Sequence, residues 1–300
     1  MTTSPSPKLT EPLPWARPQA PIDVSVVIPT YRRNSQLIRA IASVQAQAGA
    51  TLEIMVVDDC PDGGARSTVE RVRDPRISYL RNANPTGGIP SIVRNLAWPS
   101  ARGRFVHFLD DDDIVPPGHY AAVTAAFARH PDVGLVFGRV EPFGDGPKAQ
   151  LEHERRFFAR AARSAAVCER FGRKLAFAGQ MLFDLPLLVC SAGVVRRECI
   201  SGVGGFDPMI RLMEDADFYV RVMRRYGACF LDRPALKYRI GFPSLMHAAD
   251  PPASQLRLQQ EGRQRMQAKY HREYGTLEFY ALALSTRLLR MAHPRLNQPQ

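Results

Sequence analysis

The chain has 300 residues, 45% of them hydrophobic, enough for one large α/β domain with a sizeable core. Its longest apolar runs, residues 24–28 and 185–189, fall far short of the roughly 20 residues a membrane-spanning helix needs, and no charged-then-apolar leader opens the sequence. The formal net charge of +11 suits an anionic substrate, an anionic membrane or nucleic acid.

Residues 1–22 hold six prolines and little apolar content, and read as a disordered leader. Order is expected from Val24. The β-branched run at 24–28 is a buried strand stopping at Pro29, followed by a helix that Asn34 or Ser35 caps, with Leu37, Ile41 and Val44 on its inner face. Residues 54–57 are a second strand, ending in Asp58-Asp59. Pro61, Asp62, Gly63 and Gly64 turn the chain into a helix over 67–72, and residues 77–80 are a third strand. A loop at 85–88 leads to a helix over 91–98. Residues 105–109 are a fourth strand, ending in Asp110, Asp111, Asp112 and Asp113. A helix at 120–129 and a strand at 133–137 follow.

Strands alternating with helices imply a mostly parallel sheet flanked by helices. Ligands bind beyond the carboxyl ends of such strands, where both acidic clusters stand. Residues 145–186 read as helical with a break near Gly172. A strand is expected at 189–195, a turn at 202–205, a helix from Glu214 with Phe218, Val222 and Met223 inward, and a strand at 228–231. From Ser254 the pattern is helical and basic, with eight Lys/Arg against three acids over residues 251–300. It does not read as a base-stacking platform, so nucleic acid is not expected as a partner. The five cysteines (Cys60, Cys168, Cys190, Cys199, Cys229) are odd in number and none is at metal-ligand spacing. They read as reduced thiols of a cytoplasmic protein and argue against zinc.

Four consecutive carboxylates at a strand end repel one another unless a cation neutralises them, and Mg2+ or Mn2+ takes such oxygen ligands together with substrate phosphates. A solvated acidic turn is the competing reading. An EF-hand is excluded, because Ile114 and Val115 interrupt the ligand positions. Glu214, Asp215 and Asp217 complement a helix dipole, or supply a general base.

Taken together, Val24–Thr30 with Tyr31-Arg32-Arg33, then Val57-Asp58-Asp59, Arg94-Asn95, Leu109 with Asp110–Asp113, Gly204-Gly205-Phe206-Asp207 and Glu214-Asp215 resemble the inverting glycosyltransferases of family 2, of GT-A fold. The resemblance covers about residues 23–240. It implies a GT-A α/β fold with a helical, basic C-terminal segment: a nucleotide-sugar-binding half at 23–137, an acceptor half at 138–240, and an extension at 241–300. It further implies that Pro29, Thr30, Tyr31 and Arg33 line the nucleotide pocket with Asp110 and Asp111. Asp59 contacts the base, and Arg94 the base or diphosphate. Asp112 is the main ligand of Mn2+ or Mg2+, with Asp110 beside it, and Asp215 is the catalytic base. His247 stands where some relatives place a late metal or phosphate contact.

The implied partners are a nucleotide-sugar donor, with UDP the family's commonest nucleotide, and a glycan, lipid-linked or small-molecule hydroxyl acceptor. Leu282, Leu284, Leu288 and Leu289 with Arg287 and Arg290 suggest an interfacial helix, hence peripheral contact with the cytoplasmic membrane face; packing on the catalytic domain or another subunit is the competing reading. At a helix N-terminus Asp215 is expected to be a weak base. Cys60-Pro61 and Gly88-Ile89-Pro90 depart from the family pattern. A sugar nucleotidyltransferase is the less favoured alternative, since Pro29-Thr30-Tyr31 replaces the glycine-rich loop it would need. A non-catalytic nucleotide-sugar-binding protein is the other.

Overall fold

The computed structural model describes residues 21–241 and 253–293. Seven strands form one sheet: β1 (Val24–Thr30), β2 (Leu52–Asp58), β3 (Ile77–Arg81), β4 (Phe105–Phe108), β5 (Leu135–Gly144), β6 (Gly193–Arg196) and β7 (Ala228–Ile240), in the order β3-β2-β1-β4-β6-β5-β7. Only β6 is antiparallel to its neighbours β4 and β5, so the sheet is mostly parallel, as expected. β1 is an inner strand between β2 and β4, and every residue but Pro29 in it is buried.

Pro29 does not end the strand. Val27 O faces β4, accepting from Leu109 N, and so does position 29 by the period of two. The β1–β4 ladder ends at Val27 and Phe108, so the missing N–H of Pro29 costs no ladder bond.

The helices are α1 (Asn34–Gln45), α2 (Arg66–Val72), α3 (Pro90–Ala97), α4 (His119–Arg129), α5 (Lys148–Phe171), α6 (Leu175–Phe183), α7 (Arg197–Val203), α8 (Glu214–Tyr226) and α9 (Ala253–Ala292). The inner face of α1 is Leu37, Ala40, Ile41 and Val44. Neither Asn34 nor Ser35 caps it. Arg33 is the N-cap residue and makes no side-chain cap bond; Asn34 Nδ2 donates instead to Gly64 O at 2.9 Å. Pro90 is the first residue of α3, where no backbone donor is needed. Gly172 breaks α5 from α6. Residues 190–192 form a short 3-10 turn before β6, and Gly204 closes α7 in the left-handed conformation. β5 and β7 run well past the expected residues and pair over ten positions with register shifts around Arg139.

α9 is interrupted at Gly275, whose φ of 82° and ψ of 168° are not helical. Aromatic residues do interleave this basic segment. Most of them pack inward: Tyr270 lies 4.5 Å from Tyr274, Arg224 sits over the Tyr274 ring, and Phe279 packs on Phe183. All five cysteines are free and buried. His247 lies outside the described residues, as do residues 1–20 of the expected leader. Among the described residues no helix is long and apolar enough to cross a membrane.

Candidate active site

The carboxyl ends of β1, β2 and β4 and the start of α8 open onto one cavity of about 480 Å³. Pro29, Thr30, Tyr31 and Arg33 line it from the end of β1, Asp59 from β2, and Asp110, Asp111 and Asp112 from β4. Arg94 reaches it from α3 and Asp215 from α8. The described residues to which the resemblance gave nucleotide, metal and base roles therefore meet in one place.

The segment after β4 is packed with negative charge. Thr30 Oγ1 donates to Asp111 Oδ2 at 2.7 Å. Arg33 Nη1 lies 2.8 Å from Asp112 Oδ2 and 3.3 Å from Asp111 Oδ1. Burial, opposed by Arg33, pushes the Asp111 carboxyl up to about 7. Burial raises Asp112 too, with Arg33 opposing and Asp110 adding like charge. Asp113 is deeper still and accepts from Arg239 N at 3.0 Å, tying β7 to this segment. Asp110 is the more open carboxylate, its side chain 34% exposed, and its backbone N–H donates to Ser191 Oγ at 3.0 Å.

Arg94 is almost wholly buried and committed to carboxylates: Nη2 lies 2.7 Å from Asp110 and Nη1 2.8 Å from Glu214. It thus clamps the end of β4 to the first turn of α8. Burial lifts Glu214 to about 7, against the pull of Arg94. Asp215, one residue on, accepts from Ala216 N at 2.8 Å. Burial raises its carboxyl above the ordinary range, with Arg94 opposing. Burial thus works against the lowering that a place at the helix start was expected to cause. Asp217 belongs to structure, paired with Arg221 and Lys269.

Asp59 is also fully engaged. It accepts from Asn82 Nδ2, Thr86 N and Oγ1, and Gly88 N at 2.6–3.1 Å, pinning the loop that walls the cavity. Gly88 has a φ of 87°, and a Cβ there would lie 3.3 Å from the Tyr31 ring. The Cys60-Pro61 departure leaves the turn intact: Cys60 N donates to Asp58 Oδ1, and Arg32 N reaches Cys60 Sγ.

Glu214, read from the sequence with Asp215 and Asp217 as a helix-start acid or general base, lines the cavity as well, and so do Met213, Cys190, Tyr238 and Arg239, which were not among the candidates. Arg239 sits in a strand of mixed pattern and had no signal. The Cys190 thiol is pushed well above its usual range by burial, which makes it a poor nucleophile. Two non-glycine residues of positive φ, Arg32 (56°) and Met213 (73°), flank the site, a conformation that costs about 1–2 kcal/mol each.

Among the described residues no group of three His, Cys, Asp or Glu forms a closed metal cage. The donor set nevertheless suits a hard divalent ion held by one or two carboxylates and completed by substrate phosphates. Asp112 and the more open Asp110 are among the carboxylates facing the cavity.

A sheet of this order with acidic strand ends opening on one cleft defines the GT-A class of glycosyltransferase folds. Two of the solved structures that share this fold carry a nucleotide sugar. One is TarS 1-349 of S. aureus in complex with UDP-GlcNAc (TM-score 0.57, 17% identity, 88% of this chain and 79% of that one). The other is the mannosyltransferase PcManGT of Pyrobaculum calidifontis in complex with GDP-Man and Mn2+ (0.54, 18%, 94% and 85%). The chain belongs to glycosyl transferase family 2, whose model matches residues 25–197. It is 35% identical over 217 residues to the putative colanic acid biosynthesis glycosyl transferase WcaA of Escherichia coli, covering 68% of this chain and 67% of that protein. It is 41% identical over 97 residues to the GalNAc(5)-diNAcBac-PP-undecaprenol beta-1,3-glucosyltransferase of Campylobacter jejuni, covering 32% and 31%. Other curated relatives are matched over less than two thirds of their own length, three of them over 27%, 62% and 64%.

Proposed function

We propose that the chain transfers a sugar from a nucleotide-diphosphate sugar to an acceptor hydroxyl, with inversion and with the aid of Mn2+ or Mg2+. The observation that carries this reading is the convergence of Asp110–Asp112 with Glu214 and Asp215 on one cavity, held by the Arg94 clamp. Residues 23–137 form the donor half in this reading and 138–240 the acceptor half. UDP is the nucleotide we assign; TarS with UDP-GlcNAc supports it, and PcManGT with GDP-Man makes GDP the competing outcome.

Asp215 takes the proton of the acceptor hydroxyl as its oxygen attacks the anomeric carbon. Its raised carboxyl makes it a better proton acceptor than an exposed aspartate. Arg33 and Arg239 line the same cavity and offset charge on the leaving diphosphate. Asp112, with Asp110, would hold the metal, which when bound supplies Lewis-acid stabilisation of that charge. No covalent nucleophile is required. The acceptor class we favour is a growing or lipid-linked glycan, as the names of the E. coli and C. jejuni relatives suggest. We place the protein in the cytoplasm, in contact with the membrane face.

Asp215→Asn tests the reaction. The expected result is a fall in kcat of about 10²–10⁴-fold with donor affinity unchanged. Undiminished turnover would remove Asp215 from the role. Wild-type protein that binds donor but turns over none of a broad acceptor panel would favour a binding protein instead.

A further inference from the structure

The second half of α9, beyond the break at Gly275, is apolar on two opposite faces. Leu282 and Thr286 are buried against α6, where a Cβ on Gly179 would stand 2.6 Å from Thr286 Oγ1 and 3.0 Å from Leu282 Cδ1. Leu277, Tyr280, Leu284, Leu288 and Met291 are 54–87% exposed. At 3.6 residues per turn they cluster roughly opposite Leu282. Leu282, expected to face lipid, therefore faces the core, and the outward stripe is made of other residues. A helix that is hydrophobic all round is ordinarily covered.

One flank of the stripe continues into an apolar groove of about 580 Å³ lined by Phe171, Leu175, Leu282, Leu288 and Leu289. Phe171 and Leu175 are themselves exposed. The surroundings are basic. Arg287 is exposed beside the stripe, and exposed Arg170 and Lys174 flank Phe171 and Leu175 in sequence. The acids nearby are already paired: Glu278 with Arg224, Glu169 with Arg173, and Asp184 with Arg160 and Arg290. Glu273, before the break, is exposed.

We propose that this stripe and groove dock on a lipid bilayer bearing anionic headgroups. Charge chooses the occupant. Two copies meeting through this face would set like charge against like, each chain carrying +11. An anionic leaflet attracts the same arginines while its acyl boundary takes the leucines. The first half of α9 passes the site: a Cβ on Gly262 would collide with Leu212 O and meet Met213. Docking through the second half therefore fixes how the catalytic cavity stands relative to the bilayer. The proposal rests on the membrane-face reading for its compartment and not on the transfer reaction.

Vesicle flotation of the full chain tests it. Wild-type protein is expected to float with phosphatidylcholine vesicles containing phosphatidylglycerol, about tenfold more than with pure phosphatidylcholine. The double variant L284Q/L288Q, altered only at exposed positions, should lose about tenfold in flotation at unchanged melting temperature. Wild-type protein that stays at the bottom of the gradient, or a double variant that floats equally well, overturns the proposal. So does a dimer in sedimentation velocity that L284Q/L288Q dissociates, since the stripe then belongs to a second copy. UDP binding in the same samples reads the catalytic site separately.

Discussion

The carboxylates after β4 make a prediction about pH. Asp111 and Glu214 each titrate near 7 in the folded protein, above their ordinary values of about 4 in an unfolded chain. The folded state therefore binds more protons between about pH 4 and 7. Their neutral forms favour folding below that window, and this contribution is lost as pH rises through about 7. The melting temperature of metal-free protein should fall between pH 5 and 8, and Asp111→Asn should flatten the fall. A metal-free protein equally stable at both pH values would show that Arg33 already neutralises the cluster. In the proposed reaction activity runs the other way, because Asp215 as the base must be deprotonated to accept a proton. The rate should rise with pH through a value above the ordinary aspartate range, and a rate flat from pH 4 upward would contradict that.

At the level of elements, α9 supports the site from behind. Gly262→Ala would force its backbone away from Leu212 and Met213, at a cost of about 1–3 kcal/mol, seen as a lower denaturation midpoint. An unchanged midpoint would mean that α9 does not press on the loop entering α8.

The donor side was readable because each acidic pair follows a short apolar strand. Val26, Ile28, Val56 and Phe108 advertise β1, β2 and β4, and the parallel arrangement places their ends together. The Arg94–Glu214 clamp was not readable, since it joins residues 120 apart in the chain. The length of β7 was hidden by its composition. Asp232, Arg233 and Lys237 interrupt any apolar alternation, and the strand is held by backbone pairing to β5. At Pro29 the local rule misled, because the end of the neighbouring ladder lay outside what sequence shows.

For the whole molecule, one sheet carries the proposed donor cavity at its carboxyl ends, and the long basic helix α9 runs past that cavity and turns an apolar stripe outward. The arginines serve several partners. Arg94 and Arg221 are internal, bonded to Glu214 and Asp217. Arg33 and Arg239 line the cavity, and Arg287 is exposed beside the stripe. The basic residues are thus divided between holding the fold, lining the site and the proposed docking surface. Removing the divalent ion should weaken nucleotide binding without unfolding the protein, because no described cage of three ligands depends on it. Loss of secondary structure in EDTA, followed by circular dichroism, would contradict this.

The central claim is that these strand ends bind a nucleoside diphosphate together with a divalent ion. Calorimetric titration of UDP and GDP into the full chain, first with Mn2+ and then with EDTA, measures it directly. The account predicts binding of UDP that EDTA weakens at least tenfold, about 1.4 kcal/mol, and that Asp112→Ala weakens in Mn2+ but not in EDTA. Folded protein that binds neither nucleotide in Mn2+ would contradict the account.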